Sequence, residues 1–115
     1  MVDKASFHSI LVIALGSFGD VFPMVGIAKH LKLRGHQVTL FTHAHYDYLA
    51  HKHEIDFIPL DTKDDFNRFA NHPDLFNPDK AFSVYMDTAI LPNIRTIYTK
   101  VTSYIQKERS IIVAR

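Results

Sequence analysis

The stretch LGSFGDVFP (Leu15–Pro23) places two glycines, Gly16 and Gly19, just ahead of a carboxylate, Asp20. Small residues there leave backbone N–H groups open to a ligand, and a helix pattern with a proline near its front follows. A carboxylate in that position can do one of two things. It can satisfy the orphan N–H groups of the first helical turn and complement the helix dipole, worth about 0.5–2 kcal/mol. Or it can act as a general base on a ligand held at the helix N-terminus. Residue type and spacing leave both roles open, and the two are compatible. The glycines lack the G-x-G-x-x-G spacing of a dinucleotide fingerprint, no acidic residue ends the second strand, and the Lys-Ser/Thr pair of a phosphate loop is absent.

The eight histidines raise a second chemistry. His43 and His45, with His51 and His53, form two H-x-H pairs that could suggest zinc or nickel. If the segment from Tyr46 to His53 is helical, His51 and His53 point apart, and there is no Cys to complete a ligand set. We therefore expect no metal site and no cofactor, and polar solvent-facing roles for most of these side chains. His43 falls where the second strand ends, so it is a candidate for lining a ligand crevice. His8, His30 and His72 read as surface residues.

The elements that must position these groups are legible in the hydrophobic pattern. Ser9–Leu15 (SILVIAL) is an apolar run of the kind buried on both faces in a parallel sheet. A helix starting between Asp20 and Pro23 follows, its apolar stripe carried by Val25, Ile27, Ala28 and Leu31, and Gly35 stands where a left-handed C-cap belongs. His36–Thr42 (HQVTLFT) reads as a second strand, Tyr46–His53 as a short helix and Ile55–Leu60 (IDFIPL) as a third strand. Asp61–Lys80 reads as a loop with one helical group around Asp64–Ala70, and Lys63–Asp65 as a solvated face. From Asp79 a helical pattern returns, broken or kinked at Pro92. Ile94, Ile97, Tyr98, Val101 and Ile105 then form a stripe that reads as core. Phe66, Phe69, Phe76, Phe82, Tyr85 and Met86 form an aromatic segment that either packs under a loop or lines an apolar pocket. Ser110–Arg115 (SIIVAR) is the start of a fourth strand, whose edge could support self-association. Alternating strands and helices with short connections predict a doubly wound α/β fold, a parallel sheet of order 3-2-1-4 in a three-layer sandwich. Because the pattern stops within that fourth strand, we expect one piece of a larger architecture.

At 115 residues the chain is long enough for one domain with its own core. A net charge of +1 without long basic runs gives no reason to expect nucleic acid, and the lack of cysteine excludes disulfides and thiolate chemistry. No apolar run reaches the roughly 18 residues of a membrane helix, and MVDKASFHS has no signal-peptide pattern. The expectation is a soluble cytoplasmic domain, with a peripheral membrane association compatible with it.

The ordered motifs resemble the N-terminal domain of GT-B glycosyltransferases, in particular the group of sterol glucosyltransferases, bacterial rhamnosyltransferases and antibiotic-tailoring enzymes. The resemblance is carried by Gly16, Ser17, Gly19, Asp20 and Pro23, by Arg34, Gly35, His36, Val38 and Thr39, and by Phe57, Pro59 and Leu60. The segments HPDLFNPDKAF and LPNIRTIY are similar to later helical segments of such enzymes. It implies an acceptor-binding domain (residues 1–115 as one Rossmann-like unit) whose partner domain holds most of a nucleotide-sugar, a UDP- or TDP-sugar. It implies that Asp20 is the base that deprotonates an acceptor hydroxyl during inverting transfer of a hexose, without a metal. Gly16, Ser17, Phe18, Gly19 and His43 would line the substrate crevice, and this chain by itself would be inactive. Two departures from the family pattern stand out: Glu54 where glycine is usual before the third strand, and Gly26 inside the first helix, at a cost of about 1 kcal/mol relative to alanine. The rival expectations are a binding subunit of a split glycosyltransferase and a small-ligand Rossmann-like protein without transferase activity.

Overall fold

A computed structural model describes residues 8–16, 18–107 and 110–114. Four parallel strands form one sheet in the order β3-β2-β1-β4, as the sequence pattern predicts. The strands are β1 (Ser9–Ile13), β2 (Gln37–Thr42), β3 (Asp56–Pro59) and β4 (Ser110–Ala114). Between them lie α1 (Phe18–Leu33), α2 (Asp47–Lys52), α3 (Lys63–Ala70), α4 (Ala81–Tyr85) and α5 (Ile94–Lys107).

Side chains alternate across the strands and build two apolar clusters. Ile10, Val12, Ala14, Val38 and Leu40 face α1, and their cluster continues through Tyr46, Leu49, Phe66 and Phe69. Leu11 and Phe41 face the other way, with Leu60, and meet Ile97, Val101 and Tyr104 of α5. Helices therefore cover both faces, giving the three layers.

Several local expectations change. α1 begins at Phe18, earlier than its proline suggests, because the glycine turn delivers the chain directly into helix. Val21 and Met24 thereby join Val25 and Ala28 in the core, whereas Ile27 turns outward. Pro23 falls inside the helix, so the Gly19 carbonyl gets no intrahelical N–H from position 23. Gly26 has open space around the position of a Cβ, so close packing does not account for it. Gly35 adopts the expected positive φ of 96°, and Glu54 takes φ 55°, doing as a non-glycine what the usual glycine does. The Lys32 ammonium donates to the Glu54 carbonyl and ties that corner to the end of α1.

The Asp61–Lys80 segment is more ordered than a loop. The Thr62 hydroxyl accepts from the Asp65 N–H and caps α3. Asp65 is buried, not part of a solvated face: its carboxylate accepts from Arg68 and from Asn93 Nδ2 at 3.2 Å. Ahead of Pro92 the helical path widens into a π turn (Met86–Ile90) and then tightens into a 3-10 turn (Leu91–Asn93), the distortion expected where proline removes a donor. The stripe on α5 is only partly core. Ile97 and Val101 pack on the sheet, whereas Ile94, Tyr98 and Ile105 are exposed. Among the described residues, no helix is long and apolar enough to cross a membrane.

Candidate functional site at the carboxyl end of the sheet

The carboxyl ends of β1, β2 and β3 are neighbours, and the chain leaves each of them with a polar residue or a glycine. The register places Ile13 beside Phe41 and Thr42 beside Pro59. The turn after β1 holds Gly16, the residue after β2 is His43, and the second residue after β3 is Asp61. Ligands bind at this edge of open α/β sheets, outside the strand ends.

Gly16 has φ 115°, outside the range of ordinary L-residues. A Cβ built there would lie 2.5 Å from Asp20 Oδ2 and 3.0 Å from Asp20 Cγ. The Asp20 carboxylate is thus folded back over the glycine, above the strand end. Asp20 is the third residue of α1, in the first turn and not at its N-cap, and it is solvent-exposed. Gly19 is exposed beside it; Ser17 and the Phe18 side chain lie outside the described residues.

The turn is stapled from below by residues at the end of β2. The Thr42 hydroxyl donates to the Ala14 carbonyl at 2.6 Å, and the Ala14 N–H donates to the Phe41 carbonyl at 3.0 Å. The Gly16 N–H donates to His43 Nε2 at 3.1 Å, and the Tyr46 hydroxyl donates to the Gly16 carbonyl at 3.5 Å. His43 is fully buried, with Asp61 Oδ2 2.8 Å from Nδ1 and the Tyr85 hydroxyl 3.0 Å from Nε2. The other Asp61 oxygen accepts from the Ala44 N–H at 2.8 Å. Tyr46, Phe66 and Tyr85 rings surround the imidazole, with centroids 5.3–6.2 Å away. His43 therefore stands behind the Gly16 turn and not on its open surface.

The two phenols stay protonated. Burial pushes Tyr46 up to about 12, with the charges of Tyr48 and then Asp20 adding to it. Burial pushes Tyr85 up further, helped by Asp61 and Asp20, and a hydrogen bond from the Gly16 N–H offsets part of the rise. The charge of Asp20 is thus felt by both phenols that line the turn.

Of the residues singled out from the sequence, the structure brings Gly16, Gly19, Asp20 and His43 to this edge, together with Asp61, which the sequence reading did not single out. Tyr85 enters that reading as an aromatic and not as a hydroxyl. The signal for Asp61 was available, because in a 3-2-1 order the residues following each strand must meet. His45 stacks on Phe66 at the surface, and His51 is exposed on α2. Among the described residues no group of three or more His, Asp or Glu side chains is placed to hold a metal ion. A hollow of about 500 Å³ lined by Asp47, Tyr48, Ala50, His51, Ile55 and Phe57 lies between α2 and β3 and takes no wall from the Gly16 turn.

Residues 10–114 match the glycosyltransferase family 28 N-terminal domain. The chain belongs to that family. Sterol 3-beta-glucosyltransferases of Leptosphaeria maculans and Emericella nidulans are each 40% identical to it, over 53 and 52 residues. Those alignments cover 46% and 45% of this chain and 4% of each relative's length, so the chain spans a small part of the curated proteins it matches. Among solved structures, the glycotransferase of kitacinnamycin superposes with TM-score 0.57 at 18% identity, over 94% of this chain and 30% of that one. CalG4, the calicheamicin glycosyltransferase, superposes with TM-score 0.52 at 18% identity, over 72% of this chain and 21% of that one. These superpositions establish the shared fold, and the family match makes it an N-terminal GT-B glycosyltransferase domain.

Proposed function

We propose that this family 28 domain is the acceptor-binding half of an inverting glycosyltransferase, and that Asp20 is its general base. One observation carries the reading: the Asp20 carboxylate lies folded over a positive-φ glycine at the carboxyl end of β1, exposed on its outer side and hydrogen-bonded structure behind it. A hydroxyl resting against that carboxylate would lose its proton as its oxygen attacks the anomeric carbon and the nucleoside diphosphate leaves with the bonding pair. A carboxylate is a weak base at rest, but the proton becomes acidic as the C–O bond forms. Gly16 and Gly19 form the floor of the crevice in this scheme, and His43 supports it from beneath. The donor, a UDP- or TDP-hexose, sits mainly on a second domain outside this sequence, so the 115-residue chain alone does not turn over. The similarity to sterol glucosyltransferases favours an apolar alcohol, a sterol or other lipid, as the acceptor.

The test is a transfer assay on the full-length protein with UDP- and TDP-glucose and a sterol or small alcohol acceptor, with NMR of the product's anomeric carbon. The expected result is a glycoside of inverted configuration, and none from the 115-residue chain alone. A retained configuration contradicts the mechanism. Saturable binding of free nucleotide by the 115-residue chain, with no transfer by the full protein, favours a small-ligand-binding role.

A further inference from the structure

The buried His43–Asp61 pair is not explained by the base role of Asp20. A histidine and an aspartate with no solvent exposure are costly to bury unless every polar atom has a partner. Here each has: among the described residues, no buried side-chain nitrogen or oxygen is left unsatisfied. The partners also define a direction. Asp61 spends one oxygen on the Ala44 N–H and the other on His43 Nδ1. The Gly16 N–H faces Nε2 at 3.1 Å, and because a backbone N–H can only donate, that hydrogen bond requires a lone pair on Nε2. The proton therefore resides on Nδ1, donated to Asp61, and Nε2 is the acceptor. The Tyr85 hydroxyl, 3.0 Å from the same Nε2, can turn its proton elsewhere; the Gly16 amide cannot turn.

We infer that His43 and Asp61 are positioning residues: Asp61 fixes the Nδ1–H tautomer, and Nε2 then holds the Gly16 amide and so the seat of the Asp20 carboxylate. The chain of contacts runs Ala44–Asp61–His43–Gly16 and ends beneath Asp20, whose Oδ2 lies 2.5 Å from where a Gly16 Cβ would be. It joins the ends of three adjacent strands to the one group on the open side. The other tautomer would point Nε2–H at the Gly16 N–H, donor against donor, and push the turn away.

The structural arm of the test is independent of any activity. Nitrogen-15 NMR of the chain near neutral pH should show a pyrrole-type Nδ1 and a pyridine-type Nε2 at His43, with a scalar coupling from the Gly16 amide to Nε2. In Asp61→Asn one carbonyl faces two donors, so the imidazole should convert to Nε2–H. The Gly16 coupling should vanish and the Asp20 carboxyl carbon should shift, while the methyl signals of Val25 and Leu40 stay in place. An Nε2–H tautomer in the wild type, or a Gly16 amide unmoved by Asp61→Asn, overturns the proposal, and the wild-type measurement decides it even if the variant does not fold. The kinetic arm rests on the glycosyltransferase reading. In the full-length protein Asp61→Asn should lower kcat by about 100-fold with KM within about twofold, the cost of misplacing a catalytic group by about 1 Å. Combined with Asp20→Asn it should lower kcat no further than Asp20→Asn alone. Fully additive losses overturn the positioning role. A wild-type protein that transfers no sugar removes the glycosyltransferase reading and leaves the spectroscopic arm to decide this one.

Discussion

The two faces of the sheet are covered to different depths. On the α1 side, Val12, Ala14, Val21, Ala28 and Leu40 have no exposed surface at all, and the cluster extends without a gap to α3 and the π turn. On the α5 side, Leu11, Phe41 and Leu60 are buried, but the α5 side chains packed on them, Ile97, Val101 and Tyr104, are themselves only partly buried. Tyr98 on the same helix is 72% exposed. The polar network behind Gly16 belongs to the closed side, where His43 packs among Tyr46, Phe66 and Tyr85. The turn beneath Asp20 is backed by the more completely buried side of the sheet.

That contrast can be broken by truncating one residue on each face. Leu40→Ala on the closed side should cost about 2–5 kcal/mol in chemical denaturation. Ile97→Ala should cost about 1–2 kcal/mol, because its surroundings are half open and can relax or admit water. Equal losses would mean that the faces are equally tight.

Alkali sharpens the same contrast, since Tyr46 and Tyr85 both sit on the closed side with raised pKa values. The unfolded chain ionises its tyrosines near pH 10, the folded chain later. Stability from these two phenols is therefore complete below pH 10 and is lost as the pH rises through about 12 for Tyr46. Urea midpoints measured from pH 9 upward should fall in that window. Tyr46→Phe should flatten the fall, and an unchanged profile would deny the burial of that hydroxyl. The smallest effect should come from the outer surface of α1, where Gly26→Ala meets nothing and should stabilise by about 0.5–1 kcal/mol in thermal denaturation.

The fold was readable because its signals are local. The apolar runs SILVIAL and HQVTLFT, Gly35 at the helix end and IDFIPL are each interpretable within a few residues, and short connections then permit few topologies. Misreadings arose where tertiary partners decide. Asp65 lies in a charged run, yet Asn93, distant in sequence, draws it inward. Ile94, Tyr98 and Ile105 have helical spacing, yet they are exposed while Ile97 and Val101 of the same helix pack on the sheet. The pattern puts the start of α1 between Asp20 and Pro23, but the glycine turn starts the helix sooner, at Phe18. At the site, Asp20 and His43 could be chosen by their places after β1 and β2. Asp61, 18 residues from His43, can be tied to it only by carrying the strand order through to the residues that follow each strand.

The most direct test of the account is the rate of sugar transfer by the full-length protein carrying Asp20→Asn, compared with the wild type at saturating donor and acceptor. Asparagine keeps the size of the side chain and removes its negative charge and its ability to take a proton. The account predicts a fall in kcat of about 10²–10⁴-fold, with little change in KM for the acceptor. A variant that transfers sugar at the wild-type rate would contradict it.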